Sequence, residues 1–285
     1  MVYDKYFLSE KILKINPKEL KTLIKQALVE DIGRGDITTQ ITIPKNKRIR
    51  VKLIAKENFL LCGIDIAKKV FQELDKRIVF EKKAKDGQKL KNNETIAFVS
   101  GKANSILKSE RVALNLLSLM SGIATKTDKF VKKVEPFKIK VTDTRKTFPL
   151  LRALQKYAVR IGGGYNHRLR LDEMVLVKDN HLKILGGINL LNSKEDYKIE
   201  IEAQSLDEFK HALSFNPDII MLDNMKIKDI KQAVQIRKNR PIKLEVSGGM
   251  NLANIKKYAA TGIDIISVGE LTDSVKSVDI SLEVV

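Results

Sequence analysis

The segment Asp143-Thr-Arg-Lys-Thr147 places two cations and two hydroxyls between a β-rich stretch and a helical one. A helix N-terminus favours negative charge, so Arg145 and Lys146 cost something there unless an anionic ligand arrives. Further on, Gly162-Gly-Gly-Tyr-Asn-His-Arg168 ends a glycine run in a His-Arg pair. Arginine grips a carboxylate through two parallel bonds, and His167 could donate to a second oxygen beside Arg168. Lys178-Asp-Asn-His181 adds another cation. Against these stand Glu202 and Asp223, carboxylates suited to sugar hydroxyls or a divalent metal. Glu245-Val-Ser-Gly-Gly249 and Ser267-Val-Gly269 supply glycines whose backbone can approach a phosphate closely. Cations, two carboxylates and glycine loops together suit a phosphorylated sugar carrying a metal-bound pyrophosphate.

These residues need elements that bring them to one place. Short apolar segments recur at 139–141, 174–177, 199–201, 219–222, 242–246 and 265–268, separated mostly by helical patterns at 150–161, 206–213, 227–238 and 252–260. Strand-helix alternation with apolar strands predicts a parallel sheet, doubly wound or closed into a barrel. Asp143, Lys178, Glu202, Asp223, Ser247 and Gly269 fall at the C-terminal strand ends. A barrel gathers those ends at one mouth, whereas an open sheet strings them along an edge. We therefore expect an incomplete α/β barrel over residues 116–269.

The preceding half reads differently. Asn16 and Pro17 start a helix that Gly33 stops, and residues 50–55, 78–80 and 95–99 look like strands around a helix at 64–74. Residues 1–115 are thus expected to form an α+β domain, with the tail 270–285 packing back on it. A long helical pattern from 105 to 134 is expected to break near Ser121-Gly122.

Composition narrows the class. The 285 residues carry 53 Lys+Arg against 35 Asp+Glu, a formal net charge of +18. The lysines are scattered, aromatics are 6% and Trp is absent, so a nucleic-acid surface with stacking partners is not indicated. The lone Cys62 excludes an internal disulfide, reads as a small buried hydrophobe and suits a reducing cytoplasm. No apolar run approaches membrane-spanning length, and the first fifteen residues lack a secretory core.

The motifs resemble, in order and over nearly the whole chain, those of quinolinate phosphoribosyltransferases. They include Glu30-Asp-Ile-Gly-Arg-Gly-Asp-Ile-Thr-Thr39, Glu110-Arg-Val-Ala-Leu-Asn115, Ser121-Gly-Ile-Ala-Thr125, Asp143-Thr-Arg-Lys-Thr147 and Lys156-Tyr-Ala-Val-Arg160. Asn166-His-Arg168, Lys178-Asp-Asn-His181, Leu222-Asp-Asn224, Ser247-Gly-Gly249 and the run from Thr261 to Gly269 complete the series. The resemblance implies a type II phosphoribosyltransferase-like barrel and transfer of the phosphoribosyl group of phosphoribosyl pyrophosphate (PRPP) to quinolinate. The products would be nicotinate mononucleotide, pyrophosphate and carbon dioxide, a step of NAD biosynthesis. It further implies a homodimer in which Arg111 enters the partner's site. Arg145, His167 and Arg168 would hold the two carboxylates, with Lys178 nearby, and Lys146 would face pyrophosphate. Glu202 and Asp223 would hold ribose hydroxyls and Mg2+, while Ser247, Gly248 and Gly269 would bind the 5-phosphate.

One position departs from the family pattern. Asp273 stands where a histidine is usual, and we expect it to point away from the site. Two other readings make different demands. A molybdenum-linked paralogue of this fold would lose the quinolinate cations, and a polyanion binder would not need Glu202 and Asp223.

Overall fold

The computed structural model describes residues 14–185 and 197–285. The first thirteen residues, where the sequence shows no secretory core, lie outside them. By its contacts the chain divides into two units.

One unit holds residues 14–126, 153–162 and 275–285. Its first helix, α1 (Pro17–Ile32), is capped by Asn16, whose side chain accepts the Lys18 N–H, and it buries Leu20, Ile24 and Leu28. α2 (Ile37–Thr42) follows, capped by Asp36. Then come β1 (Arg48–Ala55), β2 (Phe59–Leu60), α3 (Ile64–Leu74), β3 (Val79–Lys82), β4 (Lys89–Leu90) and β5 (Thr95–Lys102). The apolar face of α3 buries Ile64, Ile66, Ala67, Val70 and Phe71, as its helical spacing requires.

α4 (Ala103–Val134) is continuous, contrary to the expected break near Gly122. Gly122 has a different use. A Cβ there would sit 2.3 Å from the Lys276 carbonyl oxygen, so the missing side chain lets the later chain lie against the helix. Glycine costs a helix roughly 1 kcal/mol, which such packing can offset without interrupting the hydrogen-bond ladder.

The other unit, residues 127–152 and 163–274 among those described, carries the strand-helix alternation. It contains β6 (Lys140–Thr142), β7 (Val175–Val177), α6 (Asp179–Leu185), β8 (Ile199–Ala203), α7 (Leu206–Ser214), β9 (Ile219–Asp223), α8 (Ile227–Arg237), β10 (Lys243–Ser247), α9 (Ile255–Ala259) and β11 (Ile265–Ser267). The intervening α5 (Arg152–Ile161) belongs by its contacts almost wholly to the first unit. The strands form one parallel sheet in the order β6-β11-β10-β9-β8-β7. Every pairing in it is parallel, so all strand C-termini lie on one rim, and among the described residues β6 and β7 are the two edge strands. The result is the expected incomplete barrel.

At the β6 edge an isolated parallel bridge joins Thr142 to Tyr165. It brings the glycine-rich segment beside the rim. Finally, β12 (Ile280–Val284) returns to pair antiparallel with β1, giving the four-stranded sheet β12-β1-β5-β3.

Replacing Gly122 by alanine should force the Lys276 backbone away. The expected cost is about 1–3 kcal/mol in urea unfolding, and wild-type stability in G122A would refute the close approach.

Candidate active site

The C-terminal rim of the parallel sheet opens into a cavity of about 760 Å3. Its walls include Arg145, Lys146, His167, Arg168, Lys178, Glu202, Asp223, Ser247, Gly248 and Gly269, ten of the eleven residues nominated from sequence. The eleventh, Arg111, is an exposed residue of α4 that lines a separate groove with Ser118 and Val278.

The cationic wall is built from two loops fastened to the β6 edge. Asp143, fully buried, accepts hydrogen bonds from Asn166 Nδ2 (2.5 Å) and the His167 N–H (2.9 Å). Asp143 is thus a structural anchor for the 166–168 turn. Arg152 braces both loops, donating from Nε to Thr147 Oγ1 (2.9 Å) and from Nη1 to the Leu169 carbonyl (3.1 Å).

Held this way, Arg145 and Arg168 lie on the cavity wall. Arg168 donates from Nη1 to the Met174 carbonyl (3.0 Å), yet its Nε is buried and meets no acceptor among the described residues. The Nε of Arg145 is in the same condition. Burial, reinforced by the Arg145 charge, pulls the Arg168 guanidinium below its ordinary pKa. Buried charged donors without acceptors are expensive, and a bound anion removes that cost.

Glu202 is the penultimate residue of β8, and Asp223 is the last of β9. Glu202 Oε2 accepts from Lys178 Nζ at 2.9 Å, and Asp223 Oδ2 accepts from Asn224 Nδ2 at 2.7 Å. Each carboxylate therefore has one oxygen engaged by a neighbouring side chain. Two hard oxygen donors on one wall fit Mg2+, which is commonly held by one or two carboxylates together with substrate phosphates.

The glycine loop follows β10. Gly248 has φ +95°, and a Cβ on it would fall 2.1 Å from Asn224 Oδ1. The backbone there has no room for a side chain. Asn224 itself has φ +55° and donates its N–H to the Ser247 carbonyl (2.9 Å), tying the ends of β9 and β10 together.

Two features were missed. Asp273 does not point away: it lines the cavity, and its Oδ2 would lie 3.0 Å from a Cβ on Gly269. The short 3-10 turn at Gly269–Leu271 carries it back toward the rim, with the Asp273 N–H bonded to the Gly269 carbonyl (3.1 Å). Thr272 Oγ1 also donates to the Lys146 carbonyl (2.7 Å). Nothing in the local residue pattern announces that turn.

The second is a buried layer formed by Glu200 on β8 and Glu245 on β10, both fully enclosed. His167 Nε2 lies 3.0 Å from Glu200 Oε2 and 3.7 Å from Glu245 Oε1. Burial raises both carboxyls to about 8, against the opposing pull of nearby cations such as Arg168 and Lys178. Their signal was visible as acidic residues inside strand segments that parallel pairing buries on both faces.

Comparison with known proteins agrees with this arrangement. Residues 36–121 match the quinolinate phosphoribosyl transferase N-terminal domain, and residues 123–283 match the C-terminal domain of the same family. A probable nicotinate-nucleotide pyrophosphorylase [carboxylating] of Methanocaldococcus jannaschii is 46% identical, covering 92% of this chain and 96% of its own. The Mycobacterium leprae nicotinate-nucleotide pyrophosphorylase [carboxylating] is 40% identical, covering 91% and 95%. The solved nicotinate-nucleotide pyrophosphorylase of Francisella tularensis superposes with a TM-score of 0.91 at 39% identity, covering 97% of this chain and all of that one. The chain belongs to the quinolinate phosphoribosyl transferase family.

Proposed function

We propose that this protein transfers the phosphoribosyl group of PRPP to quinolinate with decarboxylation, forming nicotinate mononucleotide, pyrophosphate and carbon dioxide. The observation that carries the reading is the pair of buried arginine Nε groups, on Arg145 and Arg168, that lack acceptors beside a carboxylate-and-glycine wall. Two guanidinium forks match the two carboxylates of quinolinate, and Lys178 adds charge next to them. Names of relatives at 40–46% identity, nicotinate-nucleotide pyrophosphorylase [carboxylating], support the same reaction.

Arg145 and Arg168 orient the pyridine nitrogen toward the ribose C1, turning an encounter between two anions into a positioned attack. Lys146 faces the departing pyrophosphate. Glu202 and Asp223 would hold Mg2+ and the ribose hydroxyls; when bound, the metal supplies charge neutralisation to the leaving group. As the C1–O bond breaks, the same two carboxylates offset the positive charge that grows on the ribose. Ser247, Gly248 and Gly269 seat the 5-phosphate on backbone N–H groups. The nitrogen–C1 bond leaves the ring cationic. The electrons of the bond to the adjacent carboxylate then flow into the ring as carbon dioxide departs, and the ring carbon takes a proton. This chemistry uses no serine or cysteine nucleophile.

The described residues contain no helix long and apolar enough to cross a membrane. A homodimer with Arg111 supplied in trans would complete the cationic wall, because Arg111 does not line the cavity of its own chain.

Purified protein given PRPP, Mg2+ and quinolinate should yield nicotinate mononucleotide and carbon dioxide, while nicotinate, lacking one carboxylate, should yield none. Failure with quinolinate by folded protein would overturn the assignment. R145A should raise the quinolinate KM and lower kcat, for a combined loss of about 100-fold in kcat/KM. In D273N, loss of a carboxylate at the phosphate end should lower the PRPP KM by about fivefold and leave the quinolinate KM unchanged. An unchanged PRPP KM would remove Asp273 from that end. Mixing inactive R111A with inactive E202A subunits should recover about a quarter of wild-type activity if sites are shared, and none if they are not.

A further inference from the structure

The layer beneath the cavity does not take part in the chemistry above, yet it meets a residue of the cavity wall. His167 is buried, and both sides of its ring face protein groups. Nδ1 accepts the backbone N–H of Arg168 at 2.8 Å. An acceptor Nδ1 carries no hydrogen, so the ring proton of the neutral imidazole sits on Nε2. That Nε2 lies 3.0 Å from Glu200 Oε2 and 3.7 Å from Glu245 Oε1, close contacts that are off the line of a hydrogen bond. Glu245 is itself fixed: Ser267 Oγ hydrogen-bonds to its Oε1, and Ser267 Oγ lies 2.7 Å from Thr142 Oγ1. The chain of contacts crosses β10, β11 and β6 and reaches His167 beside the fastening at Asp143.

The spacing of His167, Glu200 and Glu245 would also admit a metal ion. The tautomer speaks against one, because an Nε2 that bears hydrogen has no lone pair for coordination. Close packing of the two buried carboxyls against the ring accounts for the same spacing without an ion.

We propose that Glu200 and Glu245 are positioning residues: they hold the Nε2 side of His167 under the cavity floor while the Arg168 N–H holds Nδ1. The His167–Arg168 turn, and with it the Arg168 guanidinium, is thereby fixed for the substrate carboxylates. His167 then acts through the turn instead of donating directly to quinolinate. This deepens the reading of the site given above and rests on it.

The chain has three histidines, which makes 15N-histidine labelling direct. In the wild type the signals lost in H167N should report the Nε2–H tautomer. In E200L the Nε2–H tautomer should persist, because Arg168 still donates to Nδ1, but with no carboxyl packed against Nε2 the quinolinate KM should rise tenfold or more, on the order of a lost charged contact. The PRPP KM should stay within about twofold. E200Q keeps a polar group of the same shape against Nε2 and should restore most of the quinolinate affinity. An Nδ1–H tautomer in the wild type overturns the proposal even if E200L does not fold. So does an E200L protein that keeps its quinolinate KM, or one that loses both substrates alike. Absence of wild-type turnover would instead count against the reaction, since the tautomer is read without substrate.

Discussion

Much of the site hangs on one buried carboxylate. Among the described residues β6 and β7 are the edge strands of the parallel sheet and do not pair with each other, so hydrogen bonding between strands does not close the barrel. Asp143 fastens the chain at that edge by accepting from Asn166 and from the His167 backbone. A buried carboxylate left without those donors would be costly, so the turn it holds is strongly specified. The cationic wall is therefore a consequence of strand-end geometry: β6 ends in the anchor, and the glycine run delivers the arginine.

The same logic explains the division of labour around the rim. The strands that carry Glu202 and Asp223 are central in the sheet, where register is fixed by pairing on both sides. The cations come from loops at the edges, which are braced by side chains such as Arg152. Rigid carboxylates facing braced cations give a cavity whose charge pattern is set before any ligand arrives.

Most of this was legible in the sequence because parallel strands bury both faces and end in polar residues. The strand segments and the residues at their C-termini could be read from that contrast alone: β9 ends at Asp223, and β8 ends one residue past Glu202. What escaped notice depended on contacts distant along the chain. Gly122 looked like a helix breaker because its partner, the Lys276 carbonyl, is far away in sequence. Asp273 reached the cavity through a turn with no sequence signature. Glu200 sits two residues before Glu202 on the same strand, and only the third dimension separates a wall residue from a buried one. Arg111 shows the converse: no local pattern pointed to it, and its nomination came from family resemblance.

The pairing of β12 with β1 has a consequence for how the molecule comes into being. Val51 is in register with Val284, so one sheet is assembled from the early and late parts of the chain, with the parallel strands encoded between them. A nascent chain carrying β1, β3 and β5 must wait with the β1 edge open while the whole catalytic region is synthesised. An unpaired edge invites pairing with other chains. Lys52 and Arg50, charged residues on that exposed strand, are the kind of guard such a delay requires. Fusing bulky sequence just ahead of β12 would lengthen the wait, making synthesis order a determinant of yield.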